Sequence, residues 1–249
     1  MTNNMKNGEP VIRVINLHKS FDDNQVLTGV SLDLSKGQNL VIVGRSGTGK
    51  SVLIKCMVRL MWPDAGSINV LGQDVLALSD HELNELRIRV GYLFQEGALY
   101  DSMSLEENLL FPLKRNRHGI SDKEMQELVR KALENVDLAE AREKMPSELS
   151  GGMRKRAGLA RTLILNPEII LYDEPTTGLD PYTSREISEL IVRIQEKYNA
   201  SSIVVTHDMK CARTVSDQIS ILQDGQFIAS GSFNDLKNHE NSIIRNYFI

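Results

Sequence analysis

Residues Asn39–Ser51 read NLVIVGRSGTGKS, and this stretch decides the fold. Its first part, Asn39–Val43, is a largely apolar run that does not alternate with polar residues, which is typical of a strand buried on both faces of a parallel sheet. The segment from Gly44 to Ser51 matches G-x-x-x-x-G-K-[ST] without a gap, and an amphipathic helical pattern follows it. A strand, a glycine-rich loop and a helix in this order predict a phosphate-binding loop in an α/β fold.

The residue types of this loop suit a polyphosphate bound with Mg²⁺. Glycines let backbone N–H groups approach phosphate oxygens, and the N-terminus of the following helix adds partial positive charge. We expect Lys50 to reach the β- and γ-phosphates and the Ser51 hydroxyl to ligate Mg²⁺. The loop residues predicted to contact the nucleotide are Gly44, Arg45, Ser46, Gly47, Thr48, Gly49, Lys50 and Ser51. The alternative is a glycine-rich turn that binds nothing.

Composition narrows the class of protein. The chain has 249 residues, a formal net charge of −4 and 41% apolar residues, values that fit a globular protein with one large domain. Without a basic excess, a nucleic-acid partner is not expected. Cys56 and Cys211 lack metal-ligand spacing, which argues against a zinc site. No apolar run approaches the ~20 residues of a membrane span, so we expect membrane contact only through partners.

Further periodic segments extend the α/β pattern. Glu168–Tyr172 and Ser202–Thr206 are apolar runs that predict two more central strands. Ser121 with Glu124 forms a capping box, and Asp180 is an N-cap before a proline, so helices are expected after both. In the helix after the loop, the side chains expected to face the core are Val52, Leu53, Cys56, Met57 and Leu60. The β-like segments expected to form antiparallel strands beside the core are Val11–Leu17, Val26–Leu34, Ile219–Leu222 and Gln226–Ser230.

The domain organisation follows from these segments. We expect residues 1–10 to be a flexible N-terminus, 11–240 to form a single domain and 241–249 to form a C-terminal tail. Within the domain, residues from about 97 to 165 read as mostly helical and are predicted to be an inserted subdomain. The sequence therefore predicts a P-loop NTPase (RecA-like) core with a parallel sheet, an antiparallel β subdomain and an inserted α-helical subdomain.

Two acidic residues come directly after a predicted central strand. Asp173 and Glu174 follow Ile169–Tyr172, and they would lie at the carboxyl end of the strand, where open α/β sheets bind ligands. Asp173 is expected to hold Mg²⁺ through its water shell, and Glu174 to orient or deprotonate the attacking water. The alternative is an ordinary acidic turn before a helix, which the neighbouring phosphate loop makes less attractive.

A second glycine-containing segment, Leu149–Met153, reads LSGGM and precedes a helix. Ser150 is a good N-cap, and the two glycines allow close backbone approach. The residues that add positive charge to this helix are Arg154, Lys155, Arg156 and Arg161. They indicate a second anion site, and the alternative is a capped, solvated basic helix.

Together these motifs make the chain resemble the ATP-binding-cassette (ABC) ATPases over residues 10–240. The phosphate loop, Leu-Ser-Gly-Gly, Asp173-Glu174 and His207 occur in the order of that family. Gln95 matches its Q-loop glutamine, Thr177–Asp180 its D-loop and His207 its switch histidine. Phe21 stands where the family places an aromatic ring under adenine. The ring there is more often Tyr, but stacking requires only a π face.

The resemblance implies the cofactors ATP and Mg²⁺, an ATPase activity and a set of roles. The implied catalytic residues are Glu174, His207, Lys50 and Gln95. The implied metal ligands are Ser51, Gln95 and Asp173. The implied nucleotide contacts outside the phosphate loop are Phe21, Ser150, Gly151, Gly152 and Asp180. It also implies a homodimer in which two chains face head to tail, each lending Ser150 and Gly152 to the other's ATP, and a transmembrane permease driven by closure and opening.

Finer features resemble one branch of the family. Most members continue the signature with Gln, whereas here Met153 is followed by Arg154-Lys155-Arg156. The segments Leu93–Leu99 and Met145–Met153 resemble the ATPases of Mla-type phospholipid transporters, which implies an MCE-domain partner. The implied location is cytoplasmic, on the inner face of the cell membrane through the permease. Residues 97–113 include many apolar side chains, and Leu99 and Tyr100 among them are expected to line a groove for a permease helix.

Other functions remain open from the motifs alone. An ABC ATPase that serves a transporter of amino acids, metals or lipoproteins would share every catalytic residue. An ABC ATPase of DNA repair or translation is disfavoured by the negative net charge and the single cassette. A P-loop kinase or GTPase would need neither Leu-Ser-Gly-Gly nor His207.

Overall fold

The computed structural model describes residues 8–117 and 119–248, so most of the predicted flexible N-terminus lies outside the described residues. The strands are β1 Ile12–Phe21, β2 Asn24–Leu34, β3 Asn39–Val43, β4 Ala65–Val70, β5 Gln73–Asp74, β6 Val90–Leu93, β7 Ile169–Asp173, β8 Ser201–Thr206, β9 Gln218–Gln223 and β10 Gln226–Gly231. The helices are α1 Lys50–Met57, α2 Asp80–Arg89, α3 Leu105–Asn116, α4 Asp122–Glu134, α5 Gly151–Leu163, α6 Pro181–Tyr198, α7 Met209–Val215, α8 Phe233–Lys237 and α9 Ser242–Arg245.

The central layer is a six-stranded sheet in the order β10-β9-β3-β8-β7-β6. Strands β9, β3, β8, β7 and β6 run parallel, which confirms the predicted core. The three predicted central strands agree with β3, β7 and β8 to within one residue at each end. Because all five residues of β3 and of β7 are buried, their apolar runs do not alternate.

Two apolar cores lie on opposite faces of this sheet. Leu40 and Ile42 of β3 face the core that contains α1 and a second sheet, whereas Val41 and Val43 face the core that contains α3 to α6. This alternation follows from the period of two residues in a strand. The sheet is therefore covered on both sides, and only its edges and strand ends are open to ligands.

The second sheet has four strands in the order β2-β1-β4-β5, and its pairings are antiparallel. The predicted segments Val11–Leu17 and Val26–Leu34 belong to it. Ile219–Leu222 and Gln226–Ser230 pair antiparallel with each other, as expected. The placement of Ile219–Leu222 beside the core is wrong, because β9 also runs parallel to β3 inside the central sheet. Helix α7 returns the chain before β9, so the strand enters in the parallel direction, and only the hairpin at Asp224-Gly225 reverses the chain to make β10 antiparallel.

Two helices begin at the polar caps that the sequence predicts. Ser121 caps α4 with Glu124 in the predicted capping box, and Asp180 caps α6 through bonds from the backbone N–H groups of Tyr182 and Thr183.

The inward position predicted for Leu60 is wrong, since the side chain is 47% exposed. Helix α1 ends at Met57, and Arg59 takes a left-handed backbone with φ 51°, so Leu60 leaves the helical face.

Three helices, α3, α4 and α5, lie within residues 97–165 and contact one another. The division of the chain into a core, an inserted helical subdomain and a tail remains a prediction. At the end of the described chain Phe248 contacts Phe233 edge-on, with ring centroids 5.2 Å apart. None of the helices among the described residues has both the length and the apolar content that a membrane crossing requires.

Candidate functional site

The carboxyl ends of neighbouring parallel strands bring the predicted site together. The phosphate loop follows β3, Glu174 follows β7, His207 follows β8 and Gln95 lies just after β6. Since these strands are adjacent in the order β3-β8-β7-β6, the four segments meet at one edge of the sheet. They line a cleft of about 320 Å³ whose walls also include Val26. Residues predicted from distant motifs thus share one cavity.

The phosphate loop is shaped by its last glycine and its lysine. Gly49 has φ 96°, in the left-handed region that glycine adopts without strain, and α1 begins at the next residue. Lys50 is only 5% exposed, and its Nζ donates hydrogen bonds to the carbonyl oxygens of Gly44 at 2.9 Å and Arg45 at 3.1 Å. Nζ also lies 3.4 Å from Glu174 Oε1. The loop thus holds a buried cation at its centre.

Asp173 is the acceptor for two hydroxyl groups. Ser51 Oγ donates to Oδ1 at 2.6 Å, and the Tyr92 hydroxyl donates to Oδ2 at 2.9 Å. Burial and the charge of Asp173 raise the pKa of Tyr92, which keeps its phenol protonated as a donor. A serine hydroxyl beside a carboxylate is a hard oxygen donor set of the kind that Mg²⁺ prefers when nucleotide phosphates complete its coordination. The residues present therefore fit the predicted metal.

Three side chains surround the carboxylate of Glu174. Its Oε2 accepts a hydrogen bond from Thr177 Oγ1 at 3.0 Å and lies 2.9 Å from His207 Nδ1, while Oε1 faces Lys50. The residue is 9% exposed, and its backbone is left-handed with φ 50°. A non-glycine residue in this region is strained, and such strain is concentrated at functional sites. The arrangement holds a carboxylate at the centre of the cleft.

Other predicted residues do not line this cleft. Phe21 ends β1, is 42% exposed and lies under the Lys19 ammonium, 5.5 Å from the ring centroid. Asp180 is fully engaged as the cap of α6, where its Oδ2 also accepts from Thr183 Oγ1. Ser150, which caps α5, is exposed, and Gly151 borders a separate cleft, whereas Gly152 packs against Thr183. One chain alone therefore brings together only part of the predicted set.

The basic side chains of α5 make hydrogen bonds and ion pairs with neighbouring parts of the fold. Arg154 donates to the Leu149 carbonyl, Arg156 pairs with Asp137 and Glu186, and Arg161 donates to the Ala98 carbonyl. Lys155 is 6% exposed and donates to the carbonyl oxygens of Gln95 and Glu174. Burial lowers its pKa below the ordinary value. The expectation of a solvated basic face is wrong for Lys155, which is buried, whereas Arg154 is exposed. The second anion site at the start of α5 stays a prediction.

Three residues that hold the site together are not among the predicted site residues: Tyr92, Thr177 and Lys155. Thr177 belongs to the segment that resembles the D-loop, and its hydroxyl, three residues after Glu174, can reach back to the carboxylate. Tyr92 and Lys155 act across 81 and 19 residues of sequence respectively. No local signal identifies these two contacts, because they depend on which strands and helices become neighbours.

A family model described as ABC transporter matches residues 27–177. The probable ribonucleotide transport ATP-binding protein mkl of Mycobacterium leprae is 41% identical over 236 residues, covering 95% of this chain and 68% of that protein. MlaF of Haemophilus influenzae, an intermembrane phospholipid transport ATP-binding protein, is 40% identical over 226 residues, covering 91% and 85%. The methionine import protein MetN of Rhizobium etli is 37% identical over 223 residues, covering 90% of this chain and 61% of its own length.

A solved relative agrees with these matches. The ATP-binding cassette MJ0796, in a dimeric post-hydrolysis state bound to ADP and Pi, superposes with a TM-score of 0.82 and 30% sequence identity, covering 89% of this chain and 98% of that one. The expectations of an α/β cassette fold, an ATPase activity and the cofactors ATP and Mg²⁺ are confirmed. The chain belongs to the ABC transporter family, and it is an ATPase that acts on ATP bound with Mg²⁺.

Proposed function

We propose that this chain is the ATP-hydrolysing subunit of a transporter that moves phospholipids across or between membranes. The main observation behind this proposal is the residue that follows the signature glycines. Most of the family has Gln there, whereas this chain has Met153, followed by Arg154-Lys155-Arg156. The 40% identity with MlaF, over 85% of the length of that protein, supports the same branch. The relatives named for ribonucleotide and methionine transport share the cassette, so the substrate assignment rests on this narrower likeness.

The contacts of the cleft support a role for each predicted catalytic residue. We propose that Glu174 accepts the proton of the attacking water, because its carboxylate is held by Thr177 and His207. Lys50 would stabilise charge on the γ-phosphate from the base of the loop. Mg²⁺, when bound, supplies a Lewis acid that neutralises phosphate charge, and Ser51, Asp173 and Gln95 would hold it. His207 would sense the γ-phosphate beside Glu174.

The residues outside the cleft are proposed to act in a dimer. In a head-to-tail pair, Ser150, Gly151 and Gly152 of one chain would contact the ATP of the other. Asp180 would lie near the interface between the two chains. Ser150 is exposed at the N-terminus of α5, where backbone N–H groups favour an anion. Phe21, half-exposed beside Lys19, would stack on adenine. Such a site is complete only when two copies meet.

The partners follow from the same proposal. A transmembrane permease would bind the chain, an MCE-domain protein would hold the lipid, and the ATPase would lie in the cytoplasm on the inner face of the membrane. The permease would contact the surface near Leu99 and Tyr100. Tyr100 is 42% exposed, with its ring against Phe111 and Arg161, and it lies in the loop after Gln95.

Transport of phospholipid tests the proposal directly. The complete complex, purified through a tag on this chain, is reconstituted into vesicles with a fluorescent phosphatidylglycerol, and ATP-dependent lipid transfer is followed with wild type and with Glu174→Gln. We expect transfer only with wild type, and ATP turnover that rises with added phospholipid. Turnover stimulated by methionine or by a ribonucleotide, with no lipid transfer, would instead favour the substrates named for MetN or mkl.

A further inference from the structure

The loop after β6 lies against one face of α5, the helix that follows the signature glycines. A methyl group added at Gly158 would lie 2.8 Å from the Cα and the carbonyl oxygen of Gly97, so the two backbones touch. Arg161 donates to the Ala98 carbonyl at 2.6 Å, and its guanidinium stacks 4.7 Å from the Tyr100 ring centroid. The loop that carries Gln95 is therefore attached to α5 at several points along the helix.

One side chain of α5 reaches further, from this loop to the strand end that bears the carboxylate. Lys155 is 6% exposed, and its Nζ donates to the Gln95 carbonyl and, at 3.1 Å, to the Glu174 carbonyl. Both acceptors are backbone oxygens, so the contact sets the position of the chain rather than the charge of a side chain. A buried ammonium must be satisfied in this way, and its loss leaves both carbonyl groups short of a donor.

The backbone of Glu174 has a specific need for that donor. Its φ of 50° places a non-glycine residue in the left-handed region, which persists only where the surroundings hold it. The Glu174 N–H donates to Val205 at 2.9 Å, whereas its carbonyl accepts only from Lys155 and, at 3.3 Å, from Thr177 N–H among the described residues. Without Lys155 the carbonyl side of this residue would be held by one long hydrogen bond.

We propose that Lys155 is a positioning residue that holds the Glu174 carboxylate and the Gln95 loop in place relative to α5. The inference rests on the proposed role of Glu174 as the base. It makes the orientation of the carboxylate depend on the helix whose N-terminal end bears Ser150. Lys155 itself touches no reacting atom, and its effect passes through the two carbonyl groups.

The test compares two neighbouring positions of α5 in the full chain. Lys155→Met removes both hydrogen bonds while keeping an unbranched apolar stem, and Arg156→Met removes two ion pairs from the same helix without touching Gln95 or Glu174. Lys155→Arg restores a cationic donor. For each variant, kcat of ATP turnover, binding of a fluorescent ATP analogue and the melting temperature are measured. If Lys155→Met does not fold, Lys155→Gln, which keeps a neutral donor, takes its place.

We expect Lys155→Met to lower kcat about 10- to 100-fold, the range of a misplaced general base, with nucleotide affinity within about 2-fold of wild type. Lys155→Arg should recover most of the lost rate, and Arg156→Met should leave kcat near wild type. Unchanged turnover in Lys155→Met, or a parallel loss of affinity and rate in every Lys155 variant, would overturn the inference. If Glu174→Gln itself retained normal turnover, the proposed base would fail instead, so the two failures are distinguishable.

Discussion

Glu174 combines a carboxylate with several side-chain contacts and a backbone in the left-handed region. Its carboxylate contacts Thr177, His207 and Lys50, while its backbone takes a left-handed φ of 50°. Left-handed backbone at a non-glycine residue costs on the order of 1–3 kcal/mol, which neighbouring hydrogen bonds must offset. A residue placed at such a cost is expected to be selected for its side-chain direction rather than for stability.

Lys50→Ala is expected to abolish ATP hydrolysis, with a loss of at least about 100-fold, because the positive charge proposed to stabilise the γ-phosphate disappears. The Nζ bonds to Gly44 and Arg45 are lost as well, so the melting temperature is measured alongside turnover. Lys55→Ala, in the same helix but outside the cleft, is the matched control. A folded Lys50→Ala protein with normal turnover would contradict the assignment of the loop.

Both cysteines should be unreactive in the folded chain. Burial raises the pKa of Cys56 to about 11 and that of Cys211 to about 12, from an ordinary value of 9.0. The thiolate is the reactive form, so a thiol reagent at about pH 8 should label both residues only after denaturation. Because the folded pKa lies above the unfolded one, the stability tied to these thiols is present below pH 9 and is lost as the pH rises towards about 11 for Cys56 and about 12 for Cys211. Rapid labelling of native protein at pH 8 would contradict the burial.

At the scale of elements, α5 connects parts of the molecule that carry different tasks. Its N-terminus presents Ser150, its middle reaches Glu174 through Lys155, and its later turns hold the loop of residues 95–100. A helix moves as a unit because its backbone bonds are internal. A displacement at its N-terminus is therefore expected to reach both the cleft and the surface near Tyr100.

Tyr100→Asp is expected to stop co-purification with the permease while ATP binding by the isolated subunit is unchanged. The ring is 42% exposed and contacts Phe111 and Arg161, so its replacement by a charge should disrupt an apolar partner more than the fold. Ile228→Asp, at a site 39% exposed on β10, is the control for added surface charge. Intact assembly would move the contact surface elsewhere, and a collapsed melting temperature would identify Tyr100 as core.

At the scale of the whole molecule, the chain holds one phosphate loop and one signature segment at separate places. Ser150 and Gly152 do not line the cleft that contains Lys50 and Glu174. The solved relative MJ0796 is dimeric, in a state bound to ADP and Pi. A two-fold pair is the simplest arrangement in which each cleft receives a signature segment, since an isologous interface repeats every contact twice.

Glu174→Gln should separate nucleotide binding from hydrolysis. The amide keeps the size of the side chain but accepts no proton at neutral pH, so ATP should remain bound and hold two chains together. Mass is measured by light scattering with and without ATP, and wild type with ADP is the control. A variant that is saturated with ATP and still monomeric would count against the head-to-tail dimer.

Much of this protein follows from its sequence alone. The strand–loop–helix at residues 39–57, the three central strands and the caps at Ser121 and Asp180 are local patterns, and they agree with the structure. Each depends on residues a few positions apart, whose spacing along a helix or strand is set by backbone geometry. The gathering of Lys50, Glu174, Gln95 and His207 could also be expected, since parallel strands end at one edge.

The tertiary structure decided the rest. It placed β9 in the parallel sheet, turned Leu60 outward and buried Lys155 against two carbonyl groups. It also paired Tyr92 with Asp173 across 81 residues of sequence. These outcomes depend on which elements become neighbours, and that choice is made by the packing of two whole cores on the sheet. Local periodicity carries no information about it, because the energy that selects a neighbour is shared among residues far apart in the chain.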